Sequence, residues 1–226
     1  MEYVDYDGHR IAYRVSGRGA ALVVLNLYRR QPDLMQARLL SHHFRVFQIW
    51  PLGFGYSDRV PGYSGELLVD QVLAVLARYG VRRFVVWGYS AGSAMGLCVA
   101  RATDRTAGLV CGGFAPLPLR PATLRQLDRR LRPDHPNRSL WWWFDRFDWA
   151  AEMAAMECPR LCYWGGEDNQ MAVRLRDLRN QIPFQEVDFI ELPGLDHGRC
   201  NTPEALRDAV VPAVADWLAR RLGPTW

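Results

Sequence analysis

The sequence predicts an α/β fold in which helices cover both faces of a mostly parallel, doubly wound sheet. Short apolar runs typical of buried strands alternate with helical patterns along most of the chain. One of these runs, residues 84–87, leads directly into a serine between glycines and then into a helix of small residues. A single segment, residues 117–157, interrupts the alternation with prolines, arginines and tryptophans. The pattern therefore predicts one α/β core with one insertion.

The core elements follow one another in a regular order. Strands are predicted at residues 3–6, 11–15, 21–25, 44–49, 84–87, 109–111, 160–164 and 185–192. The first two enclose an Asp-Gly pair, which is a signal for a hairpin turn. Helices are predicted at residues 66–79, 91–100, 172–181 and 203–222. Strands that are separated by helices usually pair in parallel, because the helix returns the chain to the same end of the sheet.

The insertion, residues 117–157, combines an arginine-rich helical stretch with a concentration of aromatic residues. Part of its apolar content falls on one helical stripe, made of Leu140, Trp143, Phe144 and Phe147. Such a stripe predicts that the insertion docks on the core. We therefore predict a single-domain core of residues 1–116 and 158–226, with a short helical lid inserted after the sixth strand.

Composition places the chain among ordinary globular proteins. It has 226 residues, of which 49% are hydrophobic and 23% charged, enough to bury one core. The net charge is only +4, and no nucleic-acid-binding motif is present, so nucleic acid is not an expected partner. The first ten residues are polar and acidic, unlike a signal peptide, and no run reaches the roughly 18 apolar residues of a membrane span. The odd number of cysteines, five, favours a reducing, cytoplasmic setting. No contact with a membrane is expected. The sequence leaves the oligomeric state open.

Ser90 lies in the run Gly88-Tyr89-Ser90-Ala91-Gly92, between a predicted strand and a predicted helix. A sharp strand–turn–helix connection holds a serine in a strained backbone conformation and requires small residues two positions before and after it. Gly88 and Gly92 meet that requirement. The N–H of Ala91, at the start of the helix, points towards negative charge that develops on a substrate. This context favours a nucleophile over an ordinary serine in a tight turn.

A serine nucleophile needs a base and an acid to orient that base. Of the five histidines, His197 directly follows the last predicted strand, and such strand-end loops are where parallel sheets build their sites. Asp168, at the end of the preceding strand, is the predicted acid, with Glu167 and Asp196 as the alternatives. The order Ser90, Asp168, His197 is one of the known chain orders of such triads.

These motifs resemble the α/β-hydrolase superfamily, and the resemblance extends over nearly the whole chain. The segments that carry it are residues 7–25, 51–58, 88–92, 163–171 and 192–198. The resemblance implies a catalytic triad of Ser90, Asp168 and His197 that works without a metal or an organic cofactor. It also implies that residues 117–157 occupy the position of the family's lid.

One segment departs from the family pattern. After the third strand the family usually has His-Gly and then the residue whose backbone N–H completes the oxyanion hole. Here the matching run is Asn26-Leu27-Tyr28, with a leucine in place of the glycine. The resemblance therefore assigns the two oxyanion N–H groups to Tyr28 and Ala91. Their neighbours Leu27 and Tyr89 are expected to contact the substrate.

The predicted chemistry is acyl transfer through an acyl-Ser90 intermediate, on an ester or a thioester as small-molecule substrate. Three lid tryptophans, Trp141, Trp142 and Trp149, lie outside the docking stripe. We assign Trp141 and Trp142 to the substrate pocket, which would favour a hydrophobic and possibly aromatic acyl group.

The acceptor of the acyl group is open at this point. Water would make the chain a hydrolase of the esterase or thioesterase type. The alternative is an acyltransferase that receives its acyl group from an acidic carrier protein docked on the arginine-rich half of the lid. A second alternative is a non-catalytic, ligand-binding protein on the same fold, because fold alone does not fix function.

Overall fold

The structure is a computed structural model, and it describes residues 1–25, 27, 31–60, 64–117, 121–132, 135–181 and 187–223. Its centre is an eight-stranded sheet. In chain order the strands are β1 (Glu2–Tyr6), β2 (His9–Ser16), β3 (Ala21–Leu25), β4 (Arg45–Trp50), β5 (Phe84–Tyr89), β6 (Thr106–Gly112), β7 (Arg160–Gly165) and β8 (Val187–Leu192). All eight predicted strands are confirmed, although the predicted start of the last, residues 185–186, lies outside the described residues.

The spatial order of the strands is β1-β2-β4-β3-β5-β6-β7-β8. Strand β2 pairs antiparallel with β1 and β4, and every pair from β4 to β8 is parallel. Strands β3, β5, β6 and β7 are buried along almost their whole length, which explains their continuous apolar sequences. Because β5, β7 and β8 are parallel, the residues that follow them gather at one edge of the sheet.

Helices cover both faces of the sheet, as predicted. The longer ones are α1 (Gln31–Leu40), α2 (Gly65–Ala77), α3 (Ala91–Ala102), α7 (Asn169–Gln181) and α9 (Val211–Leu222). Helices α2, α3 and α7 contribute to one apolar core, and α1 and α9 contribute to the core on the opposite face. Among the described residues, no helix is both long and apolar enough to cross a membrane.

Helix α1 is absent from the sequence-based assignment. The helix begins at Gln31 and has Pro32 in its first turn. Its buried face carries the polar Gln36 beside Ala37. A polar residue on that face breaks the apolar periodicity that identifies a helix in sequence.

The C-terminal helix is not continuous, contrary to the prediction of one helix over residues 203–222. A single turn, α8 (Pro203–Ala205), is followed by a π-helical segment, Leu206–Val210, before α9 begins. The cause lies at Pro212, which has no N–H to donate to the carbonyl of Asp208, so that regular α-helical bonding cannot run through this point.

Residues between β6 and β7 form helices α4 (Pro121–Arg130), α5 (Pro136–Phe144) and α6 (Trp149–Ala155). Three of the four residues of the predicted docking stripe are buried: Leu140 and Phe144 fully and Trp143 nearly so. The fourth, Phe147, is partly buried and packs against the same core. Trp149 joins them, stacked on Phe144 with a ring-centroid distance of 4.2 Å. The insertion is therefore anchored on the core by aromatic packing. Whether it serves as a lid over the site remains a prediction.

Candidate active site

Ser90 sits at the sharp connection between β5 and α3, with φ 53° and ψ −121°. A positive φ is costly for a residue with a side chain and persists only where the surroundings impose it. Here the Ser90 N–H donates to the carbonyl of Gly112 at 2.8 Å, and the Ser93 N–H donates to the carbonyl of Ser90 at 2.9 Å. These bonds fix the turn and lift the Ser90 side chain out of the sheet edge.

The two flanking glycines contribute unequally to this turn. A Cβ placed on Gly88 would overlap the backbone of Gly92 and of Ser93, so this position tolerates no side chain. A Cβ on Gly92 would lie 3.2 Å from the carbonyl oxygen of Leu25, a tight contact that small shifts relieve. The requirement for a small residue is therefore strict at position 88 and mild at position 92.

His197 lies in the loop after β8 and contacts both of the residues with which it was predicted to act. Its Nε2 is 3.2 Å from Ser90 Oγ, and its Nδ1 is 2.8 Å from Asp168 Oδ2. The side chain of His197 is 46% exposed, whereas that of Asp168 is 9% exposed. The imidazole thus lies between a sheltered carboxylate and a hydroxyl that faces the solvent side of the site.

Asp168 follows β7 and has both carboxylate oxygens engaged. Oδ2 contacts His197, while Oδ1 accepts the N–H of Met171 at 3.2 Å, in the first turn of α7. The same aspartate therefore caps a helix and orients the imidazole.

The two alternative acids point elsewhere. Glu167 is 57% exposed and contacts Arg199 at 3.4 Å. Asp196 accepts the backbone N–H of Arg199 at 2.8 Å. Neither carboxylate is recorded as contacting the His197 ring, so the structure favours Asp168 as the predicted partner.

Tyr89 contacts His197 through a hydrogen bond and through its ring. Its hydroxyl donates to the carbonyl oxygen of His197, and the two rings lie 5.3 Å apart. Burial raises the pKa of the Tyr89 hydroxyl far above its ordinary value, so the hydroxyl stays a donor at all working pH values. The sequence predicted Tyr89 as a substrate contact; the structure adds a hydrogen bond that holds the His197 loop.

Cys200 lies three residues after His197 and is fully buried. Burial raises the pKa of Cys200 to about 11, so the thiol stays protonated near neutral pH. A protonated thiol is a poor nucleophile. Ser90 thus faces no competing cysteine nucleophile at this position.

A cavity of about 270 Å³ opens beside Ser90. Leu27 and Tyr89, both predicted substrate contacts, line it together with Ala91 and His197. Its wall also includes two carboxamides, Gln36 and Asn201. Gln36 was not anticipated from sequence, because a lone glutamine in an unassigned helix carries no recognisable signal.

Two of the predicted substrate contacts, Trp141 and Trp142, do not line this cavity. Trp141 packs against Phe114 and Phe144, with centroid distances of 5.9 Å to each. Trp142 is 45% exposed, and its Nε1 donates to Asp128 at 3.0 Å. Tyr28, the second predicted oxyanion donor, lies outside the described residues. Ala91 is the first residue of α3, where its N–H has no partner within the helix.

The described residues contain no group of three or more histidine, cysteine, aspartate or glutamate side chains arranged to hold a metal ion. The polar chemistry at this edge of the sheet is that of a hydroxyl, an imidazole, a carboxylate and the N-terminus of a helix.

Comparison with known proteins identifies the family to which this fold belongs. A family model described as alpha/beta hydrolase fold matches residues 17–147, which is more than half of the chain and includes Ser90. The chain belongs to the alpha/beta hydrolase family. The expectation of a hydrolase-type enzyme is thereby confirmed at the level of the family. No curated protein matches the sequence.

Solved structures share the fold over almost the whole chain at low sequence identity. A thermophilic esterase from Thermogutta terrifontis is 20% identical with a TM-score of 0.80, covering 97% of this chain and 99% of that chain. An enol-lactonase from Burkholderia xenovorans LB400 is 21% identical with a TM-score of 0.76, covering 96% of this chain and 100% of that chain. A meta-cleavage product hydrolase from Pseudomonas fluorescens IP01 is 17% identical with a TM-score of 0.72, covering 97% and 98%.

Proposed function

We propose that the protein is a serine hydrolase that cleaves carboxylic esters or thioesters through an acyl-Ser90 intermediate. The observation that carries this proposal is the contact series from Asp168 Oδ2 through His197 to Ser90 Oγ, with distances of 2.8 and 3.2 Å. Each group in the series has the chemistry that its position requires: an anion, a base and a nucleophile.

The first half of the reaction forms the acyl-enzyme. His197 Nε2 accepts the proton of Ser90 Oγ as that oxygen attacks the substrate carbonyl carbon. Asp168 stabilises the resulting imidazolium and keeps its Nδ1 in place. The Ala91 N–H is directed at the developing oxyanion, and one such donor is typically worth about 3 kcal/mol of transition-state stabilisation. His197 then gives the proton to the leaving alcohol or thiol.

The second half releases the acid. Water takes the position of the departed alcohol, loses a proton to His197 Nε2, and attacks the carbonyl carbon of acyl-Ser90. Collapse of the second tetrahedral intermediate breaks the bond to Oγ, which recovers its proton from the imidazolium. The free acid leaves, and the Ser90 hydroxyl is restored.

The cavity supports a small substrate. Pockets for drug-sized ligands typically measure about 300–1,000 Å³, and the cavity beside Ser90 measures about 270 Å³. The aromatic acyl group expected from Trp141 and Trp142 gains no support from their positions, because neither residue lines this cavity. The ring of Trp141 packs against Phe114 and Phe144, and Trp142 is exposed. We therefore propose a short acyl or alcohol group at this place. Carboxylic esters and lactones as a class also fit the esterase and lactonase among the structural neighbours.

Labelling with a small fluorophosphonate tests the proposal. Wild type should label at one site, and Ser90→Ala should not label. Ser93→Ala is the matched control, because Ser93 lies three residues after Ser90, in the first turn of α3, but is fully buried and donates to the Gly112 carbonyl at 3.1 Å. Equal labelling of wild type and Ser90→Ala would overturn the assignment. Failure of wild type to label would favour the alternative of a non-catalytic ligand-binding protein.

An acyltransferase using an acidic carrier protein is the second candidate, favoured by exposed arginines on α4. Arg125, Arg129 and Arg130 are all exposed on this helix. Such a surface attracts an acidic partner and raises its rate of association at low salt. Carrier-bound and free acyl thioesters should then differ in kcat/KM, and Arg125→Glu with Arg129→Glu should remove that difference. Equal rates for the two thioester forms in wild type would contradict docking of a carrier protein and remove the observation that favours this candidate.

A further inference from the structure

The loop after β7 and the loop after β8 are joined by a backbone hydrogen bond beyond the ends of their strands. The Glu167 N–H donates to the carbonyl of Leu195 at 2.8 Å. Glu167 immediately precedes Asp168, and Leu195 lies two residues before His197. The position of the Leu195 carbonyl therefore influences how far apart the acid and the base of the site lie.

Gly165, the last residue of β7, packs against the same carbonyl. A Cβ at this position would overlap the carbonyl oxygen of Leu195 and lie 3.0 Å from Cys200 Sγ. The φ angle of Gly165 is not in the left-handed region, so its backbone conformation is open to other residues. Glycine is required here because the His197 loop approaches β7 too closely for a side chain.

Gly165 is also bonded directly to the acid. Its carbonyl accepts the Asp168 N–H at 2.9 Å, which closes the turn after β7. The Asp168 carboxylate then contacts His197 Nδ1 at 2.8 Å. Gly165 thus acts on both members of this pair: on Asp168 through a hydrogen bond, and on His197 through the close approach of Leu195.

The neighbouring glycine does not share this arrangement. A Cβ on Gly166 would meet the side chain of Glu191, with Oε1 at 2.9 Å as its nearest atom. Glu191 is exposed, so its carboxylate can move aside. A side chain at position 166 would therefore displace another side chain, whereas one at position 165 would displace the backbone of the His197 loop.

We propose that Gly165 is a positioning residue for the proposed hydrolysis, and that its missing side chain sets the separation of Asp168 and His197. A side chain at this position would push the Leu195 segment away from β7 and weaken the contact between Asp168 Oδ2 and His197 Nδ1. The inference rests on the proposed function for the reaction that this contact serves. Gly165 acts through Leu195 and Asp168 rather than on the substrate.

Steady-state kinetics with 4-nitrophenyl acetate compare Gly165→Ala with Gly166→Ala. A displacement of about 1 Å near a catalytic group can cost about 100-fold in rate, so we expect kcat of Gly165→Ala to fall by about 10- to 100-fold. Its KM should stay within about twofold, because only the orientation of the base changes. Gly166→Ala is the matched control and should keep kcat within about twofold of wild type. Equal losses of kcat in the two variants, or a change in KM alone, would overturn the proposal.

A second measurement needs no turnover. Asp168 favours the His197 tautomer that carries its proton on Nδ1, and the ¹⁵N chemical shifts of the ring measure the fraction of that tautomer. In the Ser90→Ala background, Gly165→Ala should reduce this fraction, and Gly166→Ala should leave it unchanged. An unchanged fraction in folded Gly165→Ala would overturn the proposal. Because Ser90 is absent, the result is independent of whether wild type labels with a fluorophosphonate.

Urea unfolding shows whether Gly165→Ala is folded. If it is not, Leu195→Gly tests the same link without a steric clash, because it loosens the segment that presents the carbonyl to Gly165. We expect the same fall in kcat and the same loss of the Nδ1–H tautomer. If Leu195→Gly folds and retains both properties of wild type, the proposal is wrong.

Discussion

Asp168 contacts His197 through one carboxylate oxygen while its other oxygen caps helix α7. Oδ2 lies 2.8 Å from His197 Nδ1, and Oδ1 accepts the Met171 N–H at 3.2 Å. Because the helix fixes one oxygen, the other cannot swing away from the imidazole without giving up the cap. The protein thus uses the start of a helix to hold the orientation of its base.

Asp168→Asn tests separately the two roles of Asp168, capping α7 and orienting His197. The amide oxygen can still accept from Met171, so the free energy of unfolding should change by less than about 1 kcal/mol. The amide NH₂ would face His197 Nδ1 and favour the wrong tautomer, so kcat for ester hydrolysis should fall by about 10³-fold or more. Steady-state kinetics and urea unfolding measure both quantities. Glu167→Gln is the control and should leave kcat within about twofold, because its exposed carboxylate contacts only Arg199 among the recorded side-chain partners.

Tyr89→Phe tests whether Tyr89 positions His197. The change removes the hydroxyl that donates to the His197 carbonyl and keeps the ring in the cavity wall. Without this hydrogen bond His197 is less well oriented, and the activation free energy should rise by roughly 1 kcal/mol. We therefore expect kcat to fall about fivefold with little change in KM. Tyr163→Phe is the matched control, since the Tyr163 hydroxyl accepts from Trp87 Nε1 at 3.2 Å and not from the site. A raised KM with unchanged kcat would instead make Tyr89 a substrate contact alone.

Substitution of the glycines around Ser90 should have unequal effects. Gly88→Ala forces a Cβ into the backbone of Gly92, and we expect it to lower the free energy of unfolding by about 2–3 kcal/mol. Gly92→Ala meets only the Leu25 carbonyl, at 3.2 Å, and gains helix propensity, so its stability should stay within about 1 kcal/mol of wild type. Urea unfolding of both variants measures the contrast. Equal losses would show that the turn is less tightly fixed than its geometry indicates.

Asp188 links β8 to α9 and should make stability depend on pH. Arg221 donates two hydrogen bonds to this carboxylate, each of 2.7 Å, and Trp217 Nε1 donates a third at 2.6 Å. The Arg221 hydrogen bonds, reinforced by Trp217, hold the pKa of Asp188 below its ordinary value of 3.8. Because the pKa is lowered in the folded state, the stabilisation is complete above the unfolded-state pKa and is lost as pH falls through the folded-state pKa.

The variant Asp188→Asn measures that contribution. At pH 7 it should be less stable than wild type by roughly 1 kcal/mol, since the carboxylate is one-third exposed and partly screened. The difference should stay constant down to about pH 4 and shrink below it. Urea unfolding across this range would reveal the trend, and a difference that grows as pH falls would contradict it.

Much of the site was accessible from sequence because its residues follow strands. Ser90, Asp168 and His197 lie within five residues of the ends of β5, β7 and β8, and the parallel order of those strands brings them to one edge. The strands themselves were recognisable because burial on both faces makes their sequences continuously apolar. Gly88 was informative for the same local reason, since only a glycine fits against the turn.

Other features depend on contacts that sequence does not encode locally. Helix α1 escaped recognition because Gln36 occupies its buried face, and the glutamine acquires meaning only from the cavity that it lines. The roles of Trp141 and Trp142 depend on the direction in which each ring points once α5 has docked. Helical spacing does not reveal that the Trp141 ring packs on Phe114 or that Trp142 donates a hydrogen bond to Asp128. To predict the interruption of the last helix, one would have had to consider how Pro212 changes the hydrogen bonding of the preceding turn.

Trapping the acyl-enzyme tests the central claim most directly. Wild type is mixed with a 4-nitrophenyl ester of a short acid, quenched in acid within the first turnover, and examined by intact and peptide mass spectrometry. The expected result is one added acyl group on Ser90 in wild type, a larger fraction of it in Asp168→Asn if that variant slows deacylation more than acylation, and none in Ser90→Ala. An acyl group that appears on another residue, or in Ser90→Ala as often as in wild type, would contradict the account.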